Sequence, residues 1–132
     1  MKGYKANIEE LVANNGFFRQ VLYTSKHAQL VLMSLLPSEE VEMEVHENND
    51  QFFRFEKGEG KAVVDGHEYD IKEGDVVIVP AGAMHNIINT STMAPLKLYT
   101  IYSPPHHKDK TVHKNKLEAT TNKEEFDGMT SE

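Results

Sequence analysis

From residue 17 onward the apolar residues come in short runs, each closed by glycine, proline, asparagine or aspartate. Gln29–Leu36, Gln51–Lys57, Gly60–Val64, His67–Ile71, Val76–Val79, His85–Asn89 and Leu96–Tyr102 are four to eight residues long and rich in Val, Ile, Phe and Tyr, the signature of strands rather than helices. Phe17–Tyr23 is a further apolar strand ahead of them. Lys57-Gly58-Glu59-Gly60, Asp65-Gly66, Glu73-Gly74, Pro80-Ala81-Gly82 and Asn89-Thr90-Ser91 supply the turns, and Asp65-Gly66 is the best two-residue hairpin among them. One segment alternates strictly. In Glu40-Val41-Glu42-Met43-Glu44-Val45-His46, a strand of period two puts Val41, Met43 and Val45 on one face and Glu40, Glu42, Glu44 and His46 on the other. On propensity alone the acidic face looks outward. Gln51 shares its parity with Phe53 and Phe55, and His85 shares its own with Ile87 and Asn89. A short helix is expected over Ile8–Val12, ended at Asn14-Asn15-Gly16 by a left-handed residue. Many short strands with few helices predict an all-β sandwich or barrel.

After Tyr102 the alternation stops at Ser103-Pro104-Pro105. The expected organisation is a helix and first strand over 1–26, a barrel over 27–105 and a tail over 106–132, partly disordered, with a weak helix within Lys116–Phe126 and no order from Gly128 to Glu132. The tail's histidines, His106, His107 and His113, read as solvated side chains. The functional alternative for this segment is a lid or a dimer contact.

Composition narrows the chemistry. At 132 residues with no cysteine, the chain has the size to bury one core unaided. Thiolate metal sites and cysteine nucleophiles are excluded, which leaves imidazoles, carboxylates, amides and hydroxyls. A net charge of −7 speaks against a polyanion as main partner, so no nucleic acid is expected. No stretch has the length of a membrane span and the N-terminus lacks an apolar leader run, so the expected setting is cytoplasmic and free of membrane. Six acidic residues fall between Ser38 and Asp50 without one Lys or Arg. Arg19 and Arg54 are the only arginines, and residue type alone assigns neither an anion-binding role.

The run Gly74–Asn89 carries the most specific chemistry. Gly74-Asp75 admits a short apolar strand, Pro80-Ala81-Gly82 breaks it, and His85 opens the next strand, so a backbone bend positions a single imidazole. The spacing Gly74-x5-Pro80-x-Gly82-x2-His85-x3-Asn89 resembles the second motif of the cupin superfamily, whose histidine ligates a metal inside a small β-barrel. The superfamily's first motif brings two histidines and a glutamate into the same barrel. Here Glu44 stands at the first histidine position, His46 at the second, Gln51 at the glutamate and Gly58 at the closing glycine, with Ser38 where the leading glycine belongs. Phe17–Leu22, Gln29–Leu35, Glu44–Phe52 and Leu98–Pro105 also resemble small single-domain bacterial cupins that are labelled by likeness to mannose-6-phosphate isomerase. The resemblance implies an all-β cupin jelly roll, a double-stranded β-helix, with the Glu44–His46 face turned inward.

It also implies a divalent metal held by Glu44, His46, Gln51 and His85. Two imidazoles and one carboxylate are the donor set of open non-haem iron sites, and hard oxygen with imidazole suits Fe(II), Mn, Ni, Co or Zn. Three functions follow as expectations. The first is a metal-dependent, oxygenase-like enzyme acting on a small organic molecule. The others are a non-catalytic small-molecule binding or sensor domain, and a sugar-phosphate isomerase with Glu42 or Glu44 as proton shuttle. No residue is assigned a catalytic role from sequence. Phe17–Tyr23 and Gln29–Leu36 carry more apolar side chains than a barrel interior uses, which predicts a homodimer.

Overall fold

The computed structural model describes residues 1–132. Ten strands and two short helices follow in the order α1 (Ile8–Asn14), β1 (Arg19–Thr24), β2 (Gln29–Leu35), β3 (Glu44–Val45), β4 (Asp50–Lys57), β5 (Glu59–Val64), β6 (His67–Lys72), β7 (Val76–Val79), β8 (Met84–Asn89), β9 (Leu96–Ser103), β10 (Val112–His113) and α2 (Lys116–Thr121). They form two antiparallel sheets, ordered β10-β1-β2-β9-β4-β7 and β3-β8-β5-β6. The all-β jelly roll expected from the sequence is therefore present, with the short helix before it.

The strands obey the period of two where it matters for the interior. On β4, Gln51, Phe53 and Phe55 are buried while Phe52, Arg54 and Glu56 are half-buried, and on β8 His85, Ile87 and Asn89 are all buried. Phe53, Phe55, Ile87, Val31, Met33 and Leu98 belong to one core between the sheets. Asp65 (φ 44°) and Gly66 (φ 79°) make the two-residue turn joining β5 to β6, the pair of left-handed residues that a tight hairpin of this hand requires. Gly58 sits at φ 96°, and a Cβ there would lie 2.6 Å from the Pro95 carbonyl oxygen. That position admits no side chain.

The structure departs from expectation in four places. The helix does not end in a left-handed residue: Asn15 is extended (φ −82°, ψ 120°), and its side-chain amide both donates to the Phe17 carbonyl and accepts from the Phe17 N–H. The alternating segment is not one strand. Glu42 has φ 86° and shifts the register against β8 by one residue, Glu40 lying opposite Ile88 and Glu44 opposite His85, so Val41 packs against the core while Glu42 points out to Lys116; only from Met43 onward does the alternation hold, with Glu44 and His46 inward. The tail is folded against the barrel. β10 pairs with β1, the Ser131 N–H donates to Thr24 and its hydroxyl to Asp109. The tail histidines are not solvated: His107 and His113 are buried and His106 is half-buried.

Candidate metal centre

His85 is placed by contacts on three sides. The bend before it is tied down by Asp50, whose carboxylate accepts from the Ala81 N–H at 2.8 Å, and by the His46 carbonyl, which accepts from the Gly82 N–H at 3.0 Å. The hairpin tip reaches over as well, with Asp65 accepting from the Met84 N–H through its side chain. Register then sets Glu44 directly opposite His85 across β3 and β8. Glu44, His46 and His85 bring one ligand atom each to within 4.8 Å of one another.

The protonation pattern of this triad follows from its partners. His85 Nδ1 lies 3.1 Å from the Ala83 carbonyl, which only accepts, so Nδ1 carries a proton and the ring turns Nε2 toward the interior of the triad. That Nε2 is buried without a hydrogen-bond partner and faces a Glu44 oxygen at 3.6 Å. The same oxygen lies 3.2 Å from His46 Nε2. Burial works against the Glu44 charge, but hydrogen bonds and positive charge from His46 and His85 outweigh it and hold the carboxyl well below the usual range. Gln51 is buried on β4; its Nε2 donates to Thr100, whose hydroxyl is spent on the Phe52 carbonyl, and its Oε1 has no donor. A buried imidazole nitrogen with no hydrogen-bond partner beside a carboxylate, and an orphaned amide oxygen, are donor atoms that suit a cation. The residues present fit a divalent ion, though nothing in them selects which.

Sequence reasoning missed the wall of the site. His106 packs against His46 with ring centroids 4.2 Å apart and the planes tilted by 58°, and Tyr102 stacks on His106 and meets His46 edge-on. Burial, with the positive field of His46 after it, pulls His106 down to about 4. His107 is also held below its ordinary value by burial, then by Arg19, and its Nε2 faces the Tyr102 hydroxyl at 3.2 Å. The pair is clamped through its backbone: the Gln29 side chain donates to the His107 carbonyl at 2.7 Å and accepts from the N–H groups of both histidines. Asn49 donates to the carbonyls of Pro104 and Pro105. A buried glutamine opening an apolar strand was the one trace of this in the sequence. Asn89, the last position of the histidine motif, is structural: its amide donates to the carbonyls of Leu35, Leu36 and Ala94.

These features meet the comparisons with known proteins. A family model for the cupin domain matches residues 31–102. The chain belongs to the cupin family. This cupin is 47% identical over 108 residues to an uncharacterized protein of Acanthamoeba polyphaga mimivirus, covering 79% of this chain and 67% of the relative. It is 40% identical over 124 residues to an uncharacterized protein, YrkC, of Bacillus subtilis (strain 168), covering 89% of this chain and 66% of that one. The chain thus spans about two thirds of the length of these relatives. A crystal structure from Bacillus halodurans superposes with a TM-score of 0.88 at 36% identity, covering 91% of this cupin and 95% of that chain. No helix of this cupin is long and apolar enough to cross a membrane.

Proposed function

We propose that this cupin is a metal-dependent enzyme, oxygenase-like in its site, acting on a small organic molecule. Glu44, His46 and His85 hold one divalent cation and Gln51 offers its free Oε1. The observation that carries the reading is the buried His85 Nε2, which has no hydrogen-bond partner and is aimed at a carboxylate oxygen. A bound cation of this kind supplies a Lewis-acid centre with positions left for a ligand. The protein's part is to fix the donors: the Ala83 carbonyl sets the His85 tautomer, and the His106 ring packed on His46 shields one side of the triad. Such partners behind a ligating histidine orient it and raise its basicity.

Plasma mass spectrometry on protein purified without chelator is the first test, with His85→Ala beside it. Near-stoichiometric metal that vanishes in the variant supports the site. Iron then directs the next assay to oxygen consumption with candidate substrates, and zinc or manganese to isomerisation of sugar phosphates. A protein that takes up none of Fe(II), Mn, Ni, Co or Zn under anaerobic conditions is a small-molecule binding domain instead.

A further inference from the structure

Arg19 is a buried cation without an anion. It is 8% exposed, and no aspartate or glutamate lies within ion-pair distance of its guanidinium. Its one side-chain hydrogen bond runs from Nη1 to His113 Nδ1 at 3.2 Å. His113 is neutral there, because its Nε2–H donates to the Asn122 carbonyl at 2.8 Å and Nδ1 must then be the accepting nitrogen. The Phe18 ring lies 5.3 Å beneath the guanidinium carbon, and Nε is buried with no partner at all. Buried charges in folded proteins are paired. This one is held in place by a neutral ring and left without its counter-charge.

Arg19 lines the cavity onto which two of the three triad residues, Glu44 and His46, open. The cavity has a volume of ≈ 450 Å³ and runs from Glu44 and His46 on the barrel side to His113, Lys116 and Lys123 on the tail side. That size suits a small organic ligand. We propose that the missing counter-charge is the carboxylate of such a ligand, an organic monocarboxylate seated on Arg19. A guanidinium is weakly hydrated and planar, and it matches a carboxylate better than a compact, strongly hydrated ion. A single negative charge is favoured over a doubly charged phosphate because Glu44, Glu124 and Glu125 line the same space, while Glu42 is already taken by Lys116. Phe18, Val41, Met43 and Ala119 give the cavity an apolar wall for the rest of the molecule. The identification of this ligand as substrate rests on the metal-enzyme reading; the anion site itself rests on Arg19 and the cavity.

The test is nitrogen-edited NMR on the full, metal-free chain, following the Arg19 Nε–H resonance during titration with acetate, pyruvate and benzoate, their neutral amides, and inorganic phosphate. At least one carboxylate is expected to shift that resonance and to bind about tenfold or more tightly than its amide. Arg19→Met, which keeps the stem over Phe18, is expected to lose that binding by a similar factor while taking up metal as the parent does. Equal affinity for acid and amide, tighter binding of phosphate, no response to any of the three acids, or full carboxylate affinity in Arg19→Met each overturns the proposal. The acid–amide comparison is made on the unmutated chain and so needs no variant to fold. A chain that binds the acid through Arg19 but takes up no metal retains the anion site and loses the enzyme.

Discussion

His107 and Glu44 show how burial acts on single side chains in this cupin. Glu44 keeps its charge because two imidazoles share one of its oxygens, whereas His107, buried beside Arg19, is kept neutral. When the chain unfolds, His107 regains an ordinary value near 6.5. Below that pH the unfolded chain binds a proton that the folded chain refuses, so stability is full above about pH 6.5 and falls as the solution is acidified. One such proton corresponds to about 1.4 kcal/mol for each pH unit below the unfolded value. Urea melts of the metal-free protein between neutral and mildly acidic pH check this, and His107→Gln is expected to flatten the acid slope. Of the residues involved, the sequence marked His85 clearly, since the glycines and proline around it define a bend. Glu44 and His46 were legible only through the motif they resemble, because parity alone sent their face outward. Arg19 and His106 left no local trace: what makes them matter is contact with residues far along the chain, His113 and His46.

At the level of elements, strand lengths and turns were readable because each is set by neighbours in sequence. The exception is the segment before β3, where the positive φ of Glu42 inverts the alternation, so that of the three glutamates expected on one face Glu42 turns outward and Glu44 alone joins the triad. A non-glycine residue in that conformation is uncommon and no composition rule announces it. Glu42 lines the cavity beside Glu44 but is tied to Lys116 on α2 and stands outside the triad. The Gly58 turn is the opposite case, a residue whose identity the sequence pattern gave and whose reason only the packing supplies. Gly58→Ala would press a methyl group onto the Pro95 carbonyl, backbone that has no flexible end to swing away. A loss of about 1–3 kcal/mol is expected, the range for overpacked sites, and chemical denaturation measures it.

For the whole molecule, the apolar surplus on the first strands is largely answered within the chain. Val31, Leu32 and Met33 are buried already, and α1 packs against β2, β4 and β9 with the Lys97 ammonium bound to the Ala13 carbonyl. The exposed apolar side chains gather elsewhere, at Val76, Ile78 and Tyr69 on β7 and β6, the strands that end each sheet. We propose that the chain forms a homodimer and that it does so through this strip, since exposed apolar side chains on sheet edges are sites of association. Light scattering at micromolar concentration should return twice the 15.0 kDa chain mass, and Ile78→Glu should halve it; a monomer in the unmutated protein ends the proposal. The attachment of the tail has a consequence of another kind. Gln29 and Asn49 grip main-chain atoms of residues 104–107, and β10 joins β1 through backbone pairing. Those grips read only backbone and so are indifferent to the side chain at His106, whereas His107, His113 and Lys116 carry side-chain ties of their own to Tyr102, Arg19 and Glu42. Within the tail, position 106 can therefore be exchanged in a designed library with the least disturbance to the attachment of the segment.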